Sequence, residues 1–212
     1  MAEIGMINHP HGFRNILNEV FMAYLSEQTL IGMGFKKLGK NVKISEKASV
    51  YDCEKIEIGD YSRIDDFCVV SGNLKIGRNN HITPHCLIAG GEQGIVMADF
   101  VTLAYGVQVF TQSDDYSGET MTNSTVPGVY KNEKKEPVII EKHSIIGAGS
   151  IIMPGVHLRE GTSIGALSLV LKSTEPWSIY AGSPARKLKD RSKKLLLLEE
   201  KYLKEANSKR IR

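Results

Sequence analysis

Aliphatic residues recur at every sixth position along two long stretches of the chain. Ile58, Ile64, Val70, Ile76, Ile82 and Ile88 form one series, and Ile140, Ile146, Ile152, Leu158, Ile164 and Val170 form another. The beat also passes through Ile44 and Val50 and through Met97, Leu103 and Val109. A helix would place apolar residues at i, i+3, i+4 and i+7, and a half-buried strand would alternate. A period of six fits neither alone. It fits a short strand, a corner and another short strand, with one inward aliphatic residue per side. Three sides then make a triangular coil, and each aliphatic residue stacks on its counterpart one coil below. Parallel pairing between coils satisfies the backbone. Gly59, Gly77, Gly147 and Gly165 each follow an aliphatic position, where a missing Cβ lets the next coil approach. Hexapeptide repetition is a signature of parallel β-helices, which are one-dimensional stacks. The seventeen positions predict an all-β solenoid of nearly six triangular coils. A β-sandwich has no reason to hold one register so long. The period leaves the hand of the coil open, although crossovers are normally right-handed.

The register slips at Glu54–Glu57, at Gly90–Gly94 and over Phe110–Pro137. The last break exceeds two dozen residues and is rich in polar and turn residues, which marks either a functional insertion that projects over a groove and shapes an acceptor pocket or a flexible surface loop. Phe13, Ile16, Leu17, Val20, Phe21, Tyr24 and Leu25 predict an amphipathic helix over about 13–28. Leu188, Leu195, Leu198 and Tyr202 predict another over about 187–206. The expected organisation is an N-terminal helical cap at 1–40, a β-helix at 41–186 with an inserted loop at 110–137, and a C-terminal helix and basic tail at 187–212.

Composition adds little to this and excludes some partners. Hydrophobic content of 42% and charged content of 24% are ordinary for a globular protein. A net charge of +3 gives no case for nucleic acid, and positive charge gathers toward the C-terminus. Cys53, Cys68 and Cys86 are odd in number and form no CxxC pair, which suits free thiols in a reducing compartment. No signal peptide and no membrane-length apolar run are seen, so a cytoplasmic protein without membrane insertion is expected. The scattered histidines lack ligand spacing, so no metal is expected.

The run IIGAGSIIMPGVHLREGTSIGALSLVLKSTEPWSIYAGSPARKLKDR resembles the C-terminal half of the left-handed β-helix acyltransferases that use acyl-CoA. The resemblance covers about Ile44–Arg191. It implies a left-handed coil, a homotrimer, and acetyl-CoA or another acyl-CoA in a groove between two subunits. IDDFCVVSG, NNHITPHCLIAGGEQGI and QSDDYSGETMTNSTVPGVYKN are similar to one subgroup, whose members acylate the amino group of nucleotide-linked deoxyamino sugars for surface polysaccharides. Galactoside and maltose O-acetyltransferases are more distant relatives. By match to the family, backbone near Ala148 and Ala166 binds the pantetheine arm, and Lys172, Arg186 and Lys189 meet the CoA phosphates. Trp177 or Tyr180 either stacks on adenine or caps the last coil.

In the sugar O-acetyltransferases a histidine in the loop acts as base, and the corresponding place here holds Asp114. A hydroxyl acceptor needs a base whose pKa is near neutrality. An amine near pH 7 is largely ammonium, which a carboxylate binds, orients and relieves of a proton. Asp114 therefore points to an amino acceptor. His81 precedes the inward Ile82, faces outward, and matches a histidine of the subgroup, which makes it the second catalytic candidate. His85, Asp115 and Tyr116 are expected to contact the sugar or its nucleotide, and Asp65 and Asp66 either do likewise or satisfy turn amides. His143 and His157 read as surface residues. The expected mechanism is direct transfer: nitrogen attacks the thioester, a backbone amide stabilises the oxyanion, and no acyl-enzyme forms. Two rivals remain, an O-acetyltransferase using His81 or His85 as base, and a non-catalytic scaffold or carbonic anhydrase-like relative.

Overall fold

The computed structural model describes residues 23–210. They wind into a three-walled parallel β-helix whose walls contain six, eight and six strands. The first wall runs through Lys37–Leu38, Ile56–Ile58, Leu74–Ile76, Ile95–Met97, Val138–Ile140 and His157–Leu158. The second runs through Lys43–Ile44, Arg63–Ile64, His81–Ile82, Thr102–Leu103, Ile145–Ile146, Ser163–Ile164 and Ser178–Ala181. The third runs through Ser49–Val50, Val69–Ser71, Leu87–Ala89, Gln108–Phe110, Ile151–Ile152 and Leu169–Val170. Every sixth-position aliphatic except Val50 is buried, and each pairs in register with its counterpart in a neighbouring coil, as Val70 with Ile88 and Ile88 with Val109. Burying each such side chain contributes roughly 1.5–3 kcal/mol, so the file of stacked aliphatics is what holds the column together.

The column has six complete coils and the start of a seventh. Leu38 opens the first coil and Tyr180 continues the second wall past Ile164. Both positions fall outside the seventeen: Leu38 lies six residues before Ile44 but within the segment expected to be the N-terminal cap, and Tyr180 follows Val170 by ten residues, off the beat. The glycines after the aliphatic positions are required by proximity. A Cβ on Gly59 would stand 2.6 Å from the carbonyl carbon of Gly77, and one on Gly147 would stand 2.4 Å from the Ala166 nitrogen.

The two ends differ from the pattern-based expectation. Most of the helix expected over about 13–28 lies outside the described residues. Within them, helix α1 (Glu27–Gly32) is capped by Ser26, whose hydroxyl accepts the Thr29 N–H at 3.1 Å. Its Leu30 closes the open end of the prism. At the other end residues 187–190 are not helical. Arg186–Asp190 folds back antiparallel on Ser178–Ala181, covering the exposed edge of the last wall strand. Helix α2 (Leu195–Arg210) starts only after that ribbon. It is pinned along the corner between the first and second walls. Glu199 takes Lys142 at 2.5 Å and His143 at 2.9 Å, and the Tyr202 hydroxyl accepts from Asn79 at 3.1 Å. No helix among the described residues is long and apolar enough to cross a membrane.

Candidate active site

The insertion leaves the third wall after Phe110 and returns at Val138. Its root is an antiparallel ribbon, Gln112–Ser113 against Lys134–Lys135. Glu133 ties this root together, accepting from Lys135 at 3.0 Å, Lys131 at 3.2 Å and Gln112 at 2.5 Å. Lys135 and then Lys131 hold its carboxyl down at about 2. Sequence reasoning passed over Glu133. The available signal was Lys131, Glu133 and Lys135 at alternate positions, which an extended segment puts on one face.

Asp114 lies at this root, half-buried, on a cavity of about 370 Å³ shared with Ser71, Ala89, Phe110, Ser124 and Glu133. Its Oδ2 accepts the Asn123 N–H at 3.2 Å, and Oδ1 has no hydrogen-bond donor among the described residues. Asp115 is used differently. It accepts from the Ser117 N–H at 2.9 Å, the Ser117 hydroxyl at 2.8 Å and the Thr120 hydroxyl at 3.0 Å. Those bonds, led by the Ser117 amide, hold its carboxyl below the usual range. Asp115 thus shapes the loop that presents Tyr116, which is 90% exposed.

The histidines sit on another edge. His81 projects from the second wall with Nε2 at 2.8 Å from Asp65 Oδ2. Asp65 also accepts from Arg63 at 2.8 Å and from the Tyr24 hydroxyl at 3.0 Å. Burial alone would raise its carboxyl, but the bonds from Arg63, His81 and Tyr24 outweigh burial and lower it. Asp66 accepts from Ser45 at 2.5 Å and Lys47 at 3.4 Å. His85 stacks on Phe67 with ring centroids 5.1 Å apart. The full width of the third wall separates this edge from the arm that carries Asp114, so one copy of the chain does not bring His81 and Asp114 together.

Ala148 and Ala166 lie on the same edge as the His81 corner, further along the column. The N–H groups of Tyr105, Ala148 and Ala166 occupy matching places in successive coils and have no acceptor among the described residues. A file of free amides, beside small side chains at Ala148 and Ala166, fits the amide-rich pantetheine arm of CoA. Lys172, Arg186 and Lys189 are exposed and have no carboxylate partner among the described residues. Lys187 differs: Glu175 at 2.8 Å and Asp190 at 2.9 Å claim its charge and raise its pKa.

Other candidates turn out to be structural. Trp177 is buried against Gly161, where a Cβ would stand 2.5 Å from the indole, so it caps the last coil. The Tyr180 hydroxyl accepts the Glu175 N–H at 3.0 Å. His143, expected at the surface, is buried and bonded to Glu199, and His157 is half-buried on Glu141 at 2.5 Å. Arg191, which looked like part of a solvated tail, donates to the carbonyls of His143 at 2.7 Å and Gly161 at 3.0 Å, and burial lowers its pKa. Cys68 and Cys86 are buried, their thiols donating to the Thr83 carbonyl at 3.1 Å and the Ala104 carbonyl at 3.3 Å. No group of three or more metal-ligating side chains occurs among the described residues.

Residues 55–90 match the bacterial transferase hexapeptide (six repeats) family. Over 184 residues the chain is 45% identical to the dTDP-4-amino-4,6-dideoxy-D-glucose acyltransferase of Escherichia coli, covering 85% of this chain and 95% of that one. Among solved structures it resembles AntD, an N-acyltransferase from Bacillus cereus, in complex with dTDP and 3-hydroxybutyryl-CoA. The TM-score is 0.86 at 45% identity, over 87% of this chain and 98% of AntD. A maltose O-acetyltransferase from Clostridium difficile 630 shares the fold at 22% identity, with a TM-score of 0.52 over 85% of this chain and 86% of that one.

Proposed function

The chain belongs to the left-handed β-helix, hexapeptide-repeat acyltransferases, and from that premise we propose that it transfers an acyl group from CoA to the amino group of a dTDP-linked deoxyamino sugar. It is an acyl-CoA-dependent acyltransferase. The observation that carries the choice of acceptor is Asp114: a carboxylate with one free oxygen, not an imidazole, lines the sugar-sized cavity at the root of the arm.

In this reading Asp114 binds the sugar ammonium, and a proton leaves nitrogen by way of the carboxylate or water before attack. The neutral amine forms the C–N bond to the thioester carbonyl, the C–S bond breaks, and CoA departs as thiol. The free amides of Ala148 and Ala166 support binding of the pantetheine arm there, and that of Tyr105, next in the file, is the candidate oxyanion donor. Lys172, Arg186 and Lys189 are uncommitted cations suited to the CoA phosphates. His81, with Nε2 held by Asp65, has Nδ1 left to face substrate, and His85 and Tyr116 are exposed contacts for the sugar or its nucleotide.

The separation of the His81 edge from the Asp114 arm supports a homotrimer in which the arm of one copy meets the donor edge of the next. The outward file of the third wall suits such packing, since after Ser49 it runs through Val69, Leu87, Ile151 and Leu169, interrupted only by Gln108. Free buried thiols and a CoA donor are consistent with work in the cytoplasm, ahead of surface-polysaccharide assembly. The test is release of thiol from acetyl-CoA and 3-hydroxybutyryl-CoA against paired amino and hydroxy dTDP-sugars. Turnover confined to the amino sugars is expected; turnover of the hydroxy sugars alone would overturn the reading.

A further inference from the structure

We infer that Cys86 is a positioning residue for the transfer step: its buried thiol, bonded to the Ala104 carbonyl, aims and polarises the Tyr105 N–H that meets the thioester oxygen. The inference rests on the reading of Tyr105 as the oxyanion donor. The Ala104 carbonyl and the Tyr105 N–H belong to one planar peptide unit. The N–H has no acceptor among the described residues, while the carbonyl takes two donors, the Val107 N–H at 3.2 Å and the Cys86 thiol at 3.3 Å. The Val107 bond alone satisfies that carbonyl, so the thiol is not needed to avoid a buried unpaired group. Packing does not require a donor there either. Leu87 pairs with Gln108, so the buried Val107 holds the same corner place as Cys86, one coil on.

A similar arrangement recurs further along the file. The Gly165 carbonyl, in the same peptide unit as the free Ala166 N–H, accepts the Ser150 hydroxyl at 2.9 Å and the Ser168 hydroxyl at 2.7 Å. Side-chain donors inside the corner thus brace peptide units whose N–H groups are left open. The coil on the other side of Cys86 supplies the contrast. There Cys68 donates to the Thr83 carbonyl at 3.1 Å, but the next residue is Pro84, whose nitrogen carries no hydrogen. The run of free amides from Ala166 through Ala148 and Tyr105 therefore breaks at Pro84. Two bonds on the Ala104 carbonyl fix the peptide plane. Each also draws electron density from the amide, which strengthens the N–H as a donor by about 10–30%. An oxyanion donor carries roughly 10²–10³ in rate. The thiol bond should then carry on the order of two- to eight-fold.

The experiment measures the single-turnover rate of acyl transfer from acetyl-CoA to dTDP-4-amino-4,6-dideoxyglucose, and CoA affinity by calorimetry. The native protein is compared with Cys86→Val, Cys86→Ala, Cys86→Ser and Cys68→Val. Cys86→Val keeps the corner filled and should slow transfer by on the order of two- to eight-fold. CoA affinity should be unchanged, because the bond matters only as charge develops on the thioester oxygen. Cys86→Ala should show the same slowing, and takes the place of Cys86→Val where that variant does not fold. Cys86→Ser keeps a donor and should transfer at the native rate, as should Cys68→Val, which removes a thiol bond from a peptide unit without an N–H. A native rate in Cys86→Val would overturn the inference and leave N-acylation standing. Equal slowing in Cys68→Val or Cys86→Ser would also overturn it, by making the loss one of packing, and so would a fall in CoA affinity that matches the fall in rate. No transfer by the native protein, with CoA still bound, would overturn the inference together with the function it rests on.

Discussion

Replacing Asp114 by asparagine changes one atom of the side chain and removes its charge. The arm should stay folded, because the asparagine carbonyl can accept the same Asn123 N–H that Asp114 Oδ2 accepts at 3.2 Å. What disappears is the attraction between a half-buried carboxylate and the ammonium of the acceptor. A hydrogen bond to a charged partner contributes about 1.5–3 kcal/mol. At 1.36 kcal/mol per factor of ten, kcat/KM for an amino sugar should fall on the order of 10- to 150-fold. Thiol release with acyl-CoA saturating and the dTDP-amino sugar varied reads this directly. The thermal shift produced by CoA should be unchanged, since Ala148 and Ala166 lie on another edge of the column. Activity of Asp114→Asn within about two-fold of the native protein would refute the role of the charge. So would an equal loss of any residual activity on the matching hydroxy sugar, because that acceptor carries no cation for the carboxylate to bind.

Arg186→Ala together with Lys189→Ala should raise the KM for acyl-CoA by on the order of ten-fold with kcat little changed. Lys187→Ala should do neither, because Glu175 and Asp190 already hold that charge; steady-state kinetics on the three variants checks this. Leu87→Glu places a charge in the outward file of the third wall while leaving the interior intact, so if the proposed homotrimer packs through that file, sedimentation should show a trimer for the native protein and folded monomers with turnover lost for the variant. Glu133, held at about 2 against an ordinary 4.5, binds its lysines fully above pH 4.5 and releases them as pH falls toward 2. An NMR titration of that carboxyl should show its midpoint near 2, with the arm losing order over the same window; a midpoint above about 4 would show the ion pairs to be absent in solution.

The column was legible because its physics is one-dimensional. Ile58 to Ile88 and Ile140 to Val170 each repeat one local event, an inward aliphatic before a corner, and nothing distant is needed to place it. The ends were less legible for the converse reason. Leu188 looked helical by spacing, yet the strand edge left bare by Ser178–Ala181 recruits Arg186–Asp190 first. His143 and Arg191 looked like surface charges because their partners, Glu199 and the carbonyls of His143 and Gly161, come from segments many residues away. In the arm, Asp114 and Asp115 are adjacent and chemically alike. Only the local turn built by Ser117 and Thr120 decides that Asp115 is consumed internally and Asp114 keeps a free oxygen.

The same one-dimensional construction explains how the two halves of the proposed site come to be separated. A coil that must stack identical corners cannot gather side chains from different edges into one point; each edge presents only its own file. Free amides run along the corner between the second and third walls, while the arm grows from the far side of the third. A long insertion at one corner costs the stack little, since the wall strands Gln108–Phe110 and Ile151–Ile152 pair across it in unbroken register. The arm can therefore vary with the acceptor while the donor edge stays fixed. It follows that folding and assembly of the site are separate events. A substitution at Ile88, inside the column, damages both, whereas one at Leu87, its outward neighbour, should leave a folded chain that still binds CoA weakly along its own edge and yet transfers nothing.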